Sequence, residues 1–290
     1  MVSNIGYFTF PYDFSLPAIL LSLSSRVIIK AKDMRYYNMA NNIVKALIMM
    51  LMTMITGTAC DAGEDNESGK RKSLTVARLH HGIGEAAEIP AAFNSHGVKW
   101  NEIGCQNWRK DYPYKPEARF RIAHDGQNIY VEYHVREDAV RAVNGEDQSP
   151  VFQDACCEFF LMIDGEDTYY NIESNCIGAI LMQGGKQGGE REEASQAVLK
   201  SIKRWASLGN DTFETRVGAQ EWSLTLIIPA SALFQSNIKS LDGMTATANF
   251  FKYGSRLPKR HFLSWNEVGQ QGKPNFHQTA RFGRLRFAER

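Results

Sequence analysis

The sequence predicts an all-β chain folded as an antiparallel β-sandwich. Three observations lead there: short segments in which apolar and polar residues alternate, turn residues between them, and little helical spacing. A first hairpin runs from Phe120 to His124, turns at Asp125-Gly126-Gln127-Asn128, and returns through Ile129, Val131, Tyr133 and Val135. A second spans Asp154 to Asn175, with alternating segments flanking a Gly-Glu-Asp turn. Strand periodicity sends Ala155, Cys157, Phe159, Leu161 and Ile163 to one side of its first segment, and Asp154, Cys156 and Glu158 to the other. The return segment sends Tyr169, Asn171, Glu173 and Asn175 one way, and Tyr170, Ile172, Ser174 and Cys176 the other. The glycine cluster from Gly184 to Glu190 lacks the Lys-Ser/Thr ending of a P-loop and reads as a loop at the rim of a site. Residues Glu192 to Trp205 have mixed spacing, fitting either a loop or a short strand. Trp222, Leu224, Leu226 and Ile228 alternate up to Pro229, after which PASALF makes one helical turn; Thr245, Thr247, Asn249, Phe251 and Tyr253 form a last alternating segment. Two sheets of such strands bury their inner faces against each other, which places the sandwich over residues 74–290.

A formal net charge of +1 with no long basic stripe gives no reason to expect a nucleic-acid partner. The two carboxylates, two amides and tyrosine that alternation gathers on one face of the second hairpin suit a hydroxyl-rich ligand, which needs donors and acceptors beside an aromatic ring. Such a face equally suits the solvated outside of a sandwich. Candidate ligand-binding residues are therefore Glu158, Tyr169, Asn171, Glu173 and Asn175, joined by Asn249, which shares a face with Phe251, and by two tryptophans. Trp108 lies in the Pro- and Tyr-rich connection Asn107 to Pro116, as an exposed platform or as a plug over one end of the sandwich. Trp265 alternates with His261 and Leu263, either in the core or at an edge beside Asn266 and Glu267. Trp100 and Trp222 are expected as core anchors, Trp205 stays open, and Lys252 points away from Asn249.

The first sixty residues carry an address. Met34 or Met39 is followed by Arg35 and Lys45, the apolar run Ala46 to Ile55, then Gly57, Thr58, Ala59 and Cys60. That is a charged segment, a short apolar segment and a cleavage site, too short for a membrane span of about 20 residues. It resembles a bacterial lipoprotein box in which the Cys60 thiol is acylated, with Gly57 in place of the usual large aliphatic residue. Residues 1–33 read as an over-extended gene start or an unusually long leader. Residues 61–73 are polar and acidic and read as a flexible tether, and the acidic cluster resembles the signal that sends Gram-negative lipoproteins to the outer membrane and cell surface. Of the four remaining cysteines, the adjacent Cys156 and Cys157 point to opposite faces, and Cys105 and Cys176 complete an even count compatible with disulfides or with small core fillers.

An ordered set of motifs then becomes specific: WRKDYPYKPEARFRIAHDGQNIYVEYHVRED, FQDACCEFFLMIDGEDTYYNIESNCIGA, WSLTLIIP, ANFFKYG, HFLSW and NFHQTARFGRLRF. Together they resemble the family 9 carbohydrate-binding modules, in the branch of stand-alone exported proteins. The resemblance implies a jelly-roll-like, DOMON-like sandwich that binds a poly- or oligosaccharide without catalysis, with structural calcium in some members. Asp138, Glu146 and Asp147, or Asp164, Glu166 and Asp167, are the loop carboxylates that calcium would use. His277 lies in a motif that would close the last strand onto the core, and His277 and Arg281 read as structural, with a supporting role at the site as the alternative. The alternatives are a glycoside hydrolase using Glu158 and Glu173, and a surface interaction module marked by a large exposed apolar patch. The haem ligands of DOMON-like redox sandwiches have no counterpart that can be placed here.

Overall fold

The computed structural model describes residues 71–270 and 272–290. Cys60, the leader and most of the expected tether lie outside the described residues. The described residues form fourteen strands: β1 (Ser73–Arg78), β2 (Asn101–Glu102), β3 (Cys105–Gln106), β4 (Glu117–His124), β5 (Asn128–Ala142), β6 (Cys156–Ile163), β7 (Tyr169–Asn175), β8 (Ile180–Gly185), β9 (Arg191–Glu193), β10 (Lys203–Ala206), β11 (Phe213–Pro229), β12 (Thr245–Gly254), β13 (His261–Ser264) and β14 (Gly283–Phe287). One sheet runs β10-β11-β5-β4, and the other β14-β12-β6-β7-β8-β9, with β13 pairing β12. Strand β1 belongs to both. Its residues Ser73 to Val76 run parallel to β14, and Ala77 and Arg78 run parallel to β4, whereas the other pairings described are antiparallel. The sandwich is therefore antiparallel except where its first strand crosses between sheets, and it begins at Ser73, just inside the expected tether.

Both hairpins form in the register that alternation requires, pairing Phe120 with Tyr133 and Glu158 with Glu173. Their turns use Gly126 and Gly165 at φ of 96° and 87°, a region closed to most side chains. The inner faces meet in one large core, where Phe250 of β12 stacks on Phe120 of β4 at 3.6 Å and on Phe159 of β6 at 4.7 Å. Trp222 is buried among these core residues, as its register implied. Trp100 is not a core anchor. It is half-buried, with the Arg119 and Arg121 guanidiniums 4.5 and 4.2 Å from its ring centroid.

Among the described residues, two helices escape a strand-centred reading. Helix α1 (Ile89–Ser95) follows a capping box between Glu85 and Glu88 and buries Ile89 and Phe93. These pack with Ala123, Tyr130 and Ile227 on the outside of the β4-β5-β11 sheet. Helix α2 (Gln196–Ser201) starts where Ser195 Oγ accepts a hydrogen bond from the Val198 amide, and it buries Leu199 in the main core. The mixed spacing from Glu192 to Trp205 thus resolves into a strand end, this helix and β10. All four cysteines among the described residues are free, and Cys157 and Cys176 fill the core.

Candidate functional site

Strands β6, β7 and β12 turn a second face away from the main core. Glu158, Phe160 and Met162 lie there beside Glu173, Asn171 and Tyr169, with Phe251 and Tyr253 on the neighbouring strand. This face is not the solvated surface that alternation allows. Glu158, Tyr169, Asn171 and Glu173 are at most 4% exposed. The connection after β3 and the stretch between β13 and β14 fold over it, and Trp108, Phe262, Val268, Phe276 and Phe282 pack with Phe160, Tyr169 and Phe251 into a second apolar cluster. Phe276 stacks on Phe251 at 4.1 Å, and Trp108 meets Phe262 edge-on at 6.2 Å.

Within that roof a polar chain crosses the strands. Arg191 places its guanidinium 3.7 Å from the centroid of the Tyr169 ring and donates to Asn171 Oδ1 at 2.5 Å. Asn171 Nδ2 in turn donates to Glu173 Oε1 at 2.9 Å, and the Tyr169 hydroxyl shares a 2.7 Å hydrogen bond with His277 Nδ1. Glu173 Oε2, Arg191 Nε and Trp108 Nε1 are buried without a hydrogen-bond partner. Burial, and then the opposing Glu173 carboxylate, push Glu158 well above the usual carboxylate range. Burial likewise raises Glu173 to about 7, against the pull of Asn171 and Arg191. Directly opposed like charges are unfavourable, so the pair stays at least partly protonated at neutral pH. Burial and the Arg191 charge lower His277 to about 4, leaving its ring neutral.

Trp108 is the plug of its two readings. It is 4% exposed, at a φ of 53° that bulky residues seldom adopt, and the amides of Asp111 and Tyr112 donate to its carbonyl. Three other expected site residues serve the frame. Asn175 donates to Asn144 O and Asp154 Oδ2 and accepts from the Ile177 and Ala179 amides, which folds the turn after β7. Asn249 is fully buried, donates to Asn266 O and accepts from the Phe250 and Asn266 amides, fixing the chain after β13. Trp265 is core, edge-on to Phe120 at 5.8 Å and to Phe250 at 5.9 Å. Lys252 points into the main core, and Arg281 is exposed.

At one end of the roofed face lies an open hollow of about 540 Å³ lined by Phe152, Gln153, Ser255, Arg256, Leu257 and Arg260. Tyr253 connects the two regions. Its ring meets Phe152 edge-on at 6.2 Å, while Glu158, Glu173 and Arg260 all act electrostatically on its phenol. Alternation alone could not find this hollow, because it lies between the short helical turn before β6 and the loop joining β12 to β13. Its signal in the sequence is the aromatic and amide pair Phe152-Gln153 next to Asp154.

The sequence profile of carbohydrate-binding family 9 matches residues 87–287. This chain belongs to carbohydrate-binding family 9. A crystal structure of a candidate carbohydrate-binding protein from Bacteroides uniformis is 45% identical with a TM-score of 0.73, covering 75% of this chain and 100% of that one. A family 9 module from Caldicellulosiruptor kristjanssonii, solved with cellotriose, is 17% identical with a TM-score of 0.47, over 76% of this chain and 95% of that one. No curated protein matches the chain. The loop carboxylates of this chain that calcium would use do not converge. Asp138 pairs with Lys259, Asp147 with Arg204, Asp164 with Arg284 and Asp167 with Lys186, while Glu166 accepts from Ser236 and Glu146 is exposed. No group of three or more His, Cys, Asp or Glu side chains placed to hold a metal occurs among the described residues.

Proposed function

We propose that the chain is a non-catalytic carbohydrate-binding protein whose ligand occupies the open hollow beside Tyr253, at one end of the roofed face of β6 and β7. One observation carries this reading: an aromatic ring, Phe152, lines an open hollow together with Gln153, Ser255 and two arginines, in a family 9 domain. The apolar C–H face of a sugar ring packs on an aromatic side chain, and its hydroxyls need donors and acceptors around it. Calorimetric titration of the full chain against a broad panel of oligosaccharides tests it. Binding is expected, weakened about tenfold in Phe152→Ala, since losing an aromatic contact costs about 1 to 1.5 kcal/mol. Failure to bind any member of the panel rejects the reading.

The hydrolase alternative requires one carboxylic acid and one firmly ionised partner flanking a scissile bond. Glu158 and Glu173 are instead adjacent on one sheet face, both shifted toward the neutral form. Glu173 accepts a hydrogen bond from Asn171. An interaction module would present a broad apolar patch, whereas Trp205 and Val217 are the large hydrophobic residues that stand exposed among the described residues.

We infer further that the domain is exported and tethered through an acylated Cys60 to the Gram-negative outer membrane, where it would support glycan capture for breakdown. The charged, apolar and small-residue pattern ending at Cys60 supports this. In cells, Cys60→Ala is expected to move the protein from the membrane fraction to the soluble one; an unchanged distribution rejects the anchor.

A further inference from the structure

The hollow beside Tyr253 has no carboxylate in its lining, unlike two other open hollows of the domain. Of those two, the one beside Tyr114 is lined by Glu117, Glu137, Asp138 and Glu221, and the one beside Trp205 by Asp147. Both charged residues that line the Tyr253 hollow, Arg256 and Arg260, are cationic, and neither has a salt-bridge partner among the described residues. Their neighbour Lys259 is paired, with Asp138. This is a local excess in a nearly neutral chain: from Thr245 to Trp265 the sequence carries Lys252, Arg256, Lys259 and Arg260 and no Asp or Glu. Arg260 is also held in place, its guanidinium 5.1 Å from the Tyr112 ring centroid and 5.9 Å from that of Phe262. Stacking of this kind orients the fork of N–H groups before a ligand arrives and lowers the entropy lost on binding.

Resting on the carbohydrate-binding reading above, we propose that the hollow selects acidic saccharides, with the carboxylate of a uronic acid unit received by Arg256 and Arg260 while its ring lies against Phe152. Guanidinium and carboxylate match in charge and in planar two-point geometry, and charge-assisted hydrogen bonds are about twice as strong as neutral ones. Gln153 and Ser255 remain for the ring hydroxyls. The adjoining Glu158 and Glu173 do not oppose an anion strongly, because both are displaced toward their neutral forms.

The test compares trisaccharides of galacturonate, glucuronate and mannuronate with their methyl esters, which keep the shape and remove the charge, by calorimetric titration of the full chain. At least one free acid is expected to bind about tenfold or more tightly than its ester, with the advantage shrinking as salt is raised. In Arg256→Gln/Arg260→Gln the ratio of acid to ester affinity is expected to fall to about one. These side chains are exposed, so the variant's melting temperature serves as the control for folding. Equal binding of acid and ester, or an advantage that persists in the double variant, overturns the proposal. Binding of neutral glucans with no binding of uronates overturns it too, yet leaves the carbohydrate-binding reading standing. Absence of binding to neutral and acidic sugars alike rejects both.

Discussion

Glu173 is the residue whose chemistry departs furthest from its appearance in the sequence. On an exposed hairpin it would be an ordinary carboxylate; on the roofed face of β7, burial raises it to about 7. The consequence for stability has a definite sign. A carboxyl group whose folded value lies above its unfolded one favours the folded state fully at low pH, and that contribution is lost as pH rises from about 4.5 through 7. His277 acts in the opposite sense: its folded value, near 4, lies below the unfolded one, so its contribution is complete above about 6.5 and is lost as pH falls toward 4. Wild-type stability should therefore peak in the mildly acidic range, between the loss of the His277 contribution below and of the Glu173 contribution above. Glu173→Gln keeps an acceptor for Asn171 and removes the ionisation. It is expected to gain about 1 to 3 kcal/mol over wild type at pH 8 and little near pH 4.5, read from urea unfolding midpoints. A variant less stable than wild type at pH 8 would mean that Glu173 is held as an anion.

Elements are legible in the sequence wherever local rules suffice, and illegible wherever a distant segment covers them. Period-2 alternation and a turn glycine fix the β6-β7 hairpin, so periodicity alone assigns Glu158, Asn171 and Glu173 to one face. Alternation does not say what lies on that face. Its roof comes from residues around Trp108, more than forty positions earlier, and around Phe276, more than a hundred later, in stretches without strand or helix periodicity. Trp265 is ambiguous in sequence for the same reason, since a strand end can face either way. What settles it is β14: a Cβ on Gly283 would stand 2.7 Å from the Trp265 ring and 2.1 Å from Asn266 Nδ2, so the indole packs directly against a bare strand backbone. Helix α2 leaves little trace in the sequence because it is six residues long, with one fully buried side chain to mark its period. The hollow beside Tyr253 joins the turn before β6 to the β12-β13 loop, a juxtaposition set by pairing of β12 with β6.

At the scale of the whole molecule, the two sheets are joined by charge as well as by the Phe120-Phe250-Phe159 stack. Glu137 of β5 and Lys252 of β12 meet at 3.0 Å with neither side chain exposed. The pair is completed on both flanks. Trp222 Nε1 donates to the second Glu137 oxygen at 2.7 Å, and Lys252 Nζ lies 2.9 Å from His261 Nε2. Burial, and then the Lys252 charge, hold His261 far below its ordinary range; its Nδ1–H donates to Lys259 O, which leaves Nε2 free to accept from the ammonium. Gly254 makes room for this, because a Cβ there would stand 2.3 Å from the imidazole. Lys252 and Tyr253 are consecutive on β12 and point to opposite faces, so the ion pair fixes the register of the strand that carries Tyr253 to the ligand side. A buried pair adds little net stability over an apolar substitute, but removing one partner strands the other charge. Lys252→Met is accordingly expected to lose about 3 to 5 kcal/mol, and Glu137→Gln/Lys252→Met to recover much of that loss, because the amide is neutral and still accepts from Trp222. Urea unfolding of the two variants and wild type distinguishes this from simple loss of packing. If the double variant is no more stable than Lys252→Met, the cost lies in the missing ammonium stem and its contact with His261, and not in an uncompensated Glu137 charge.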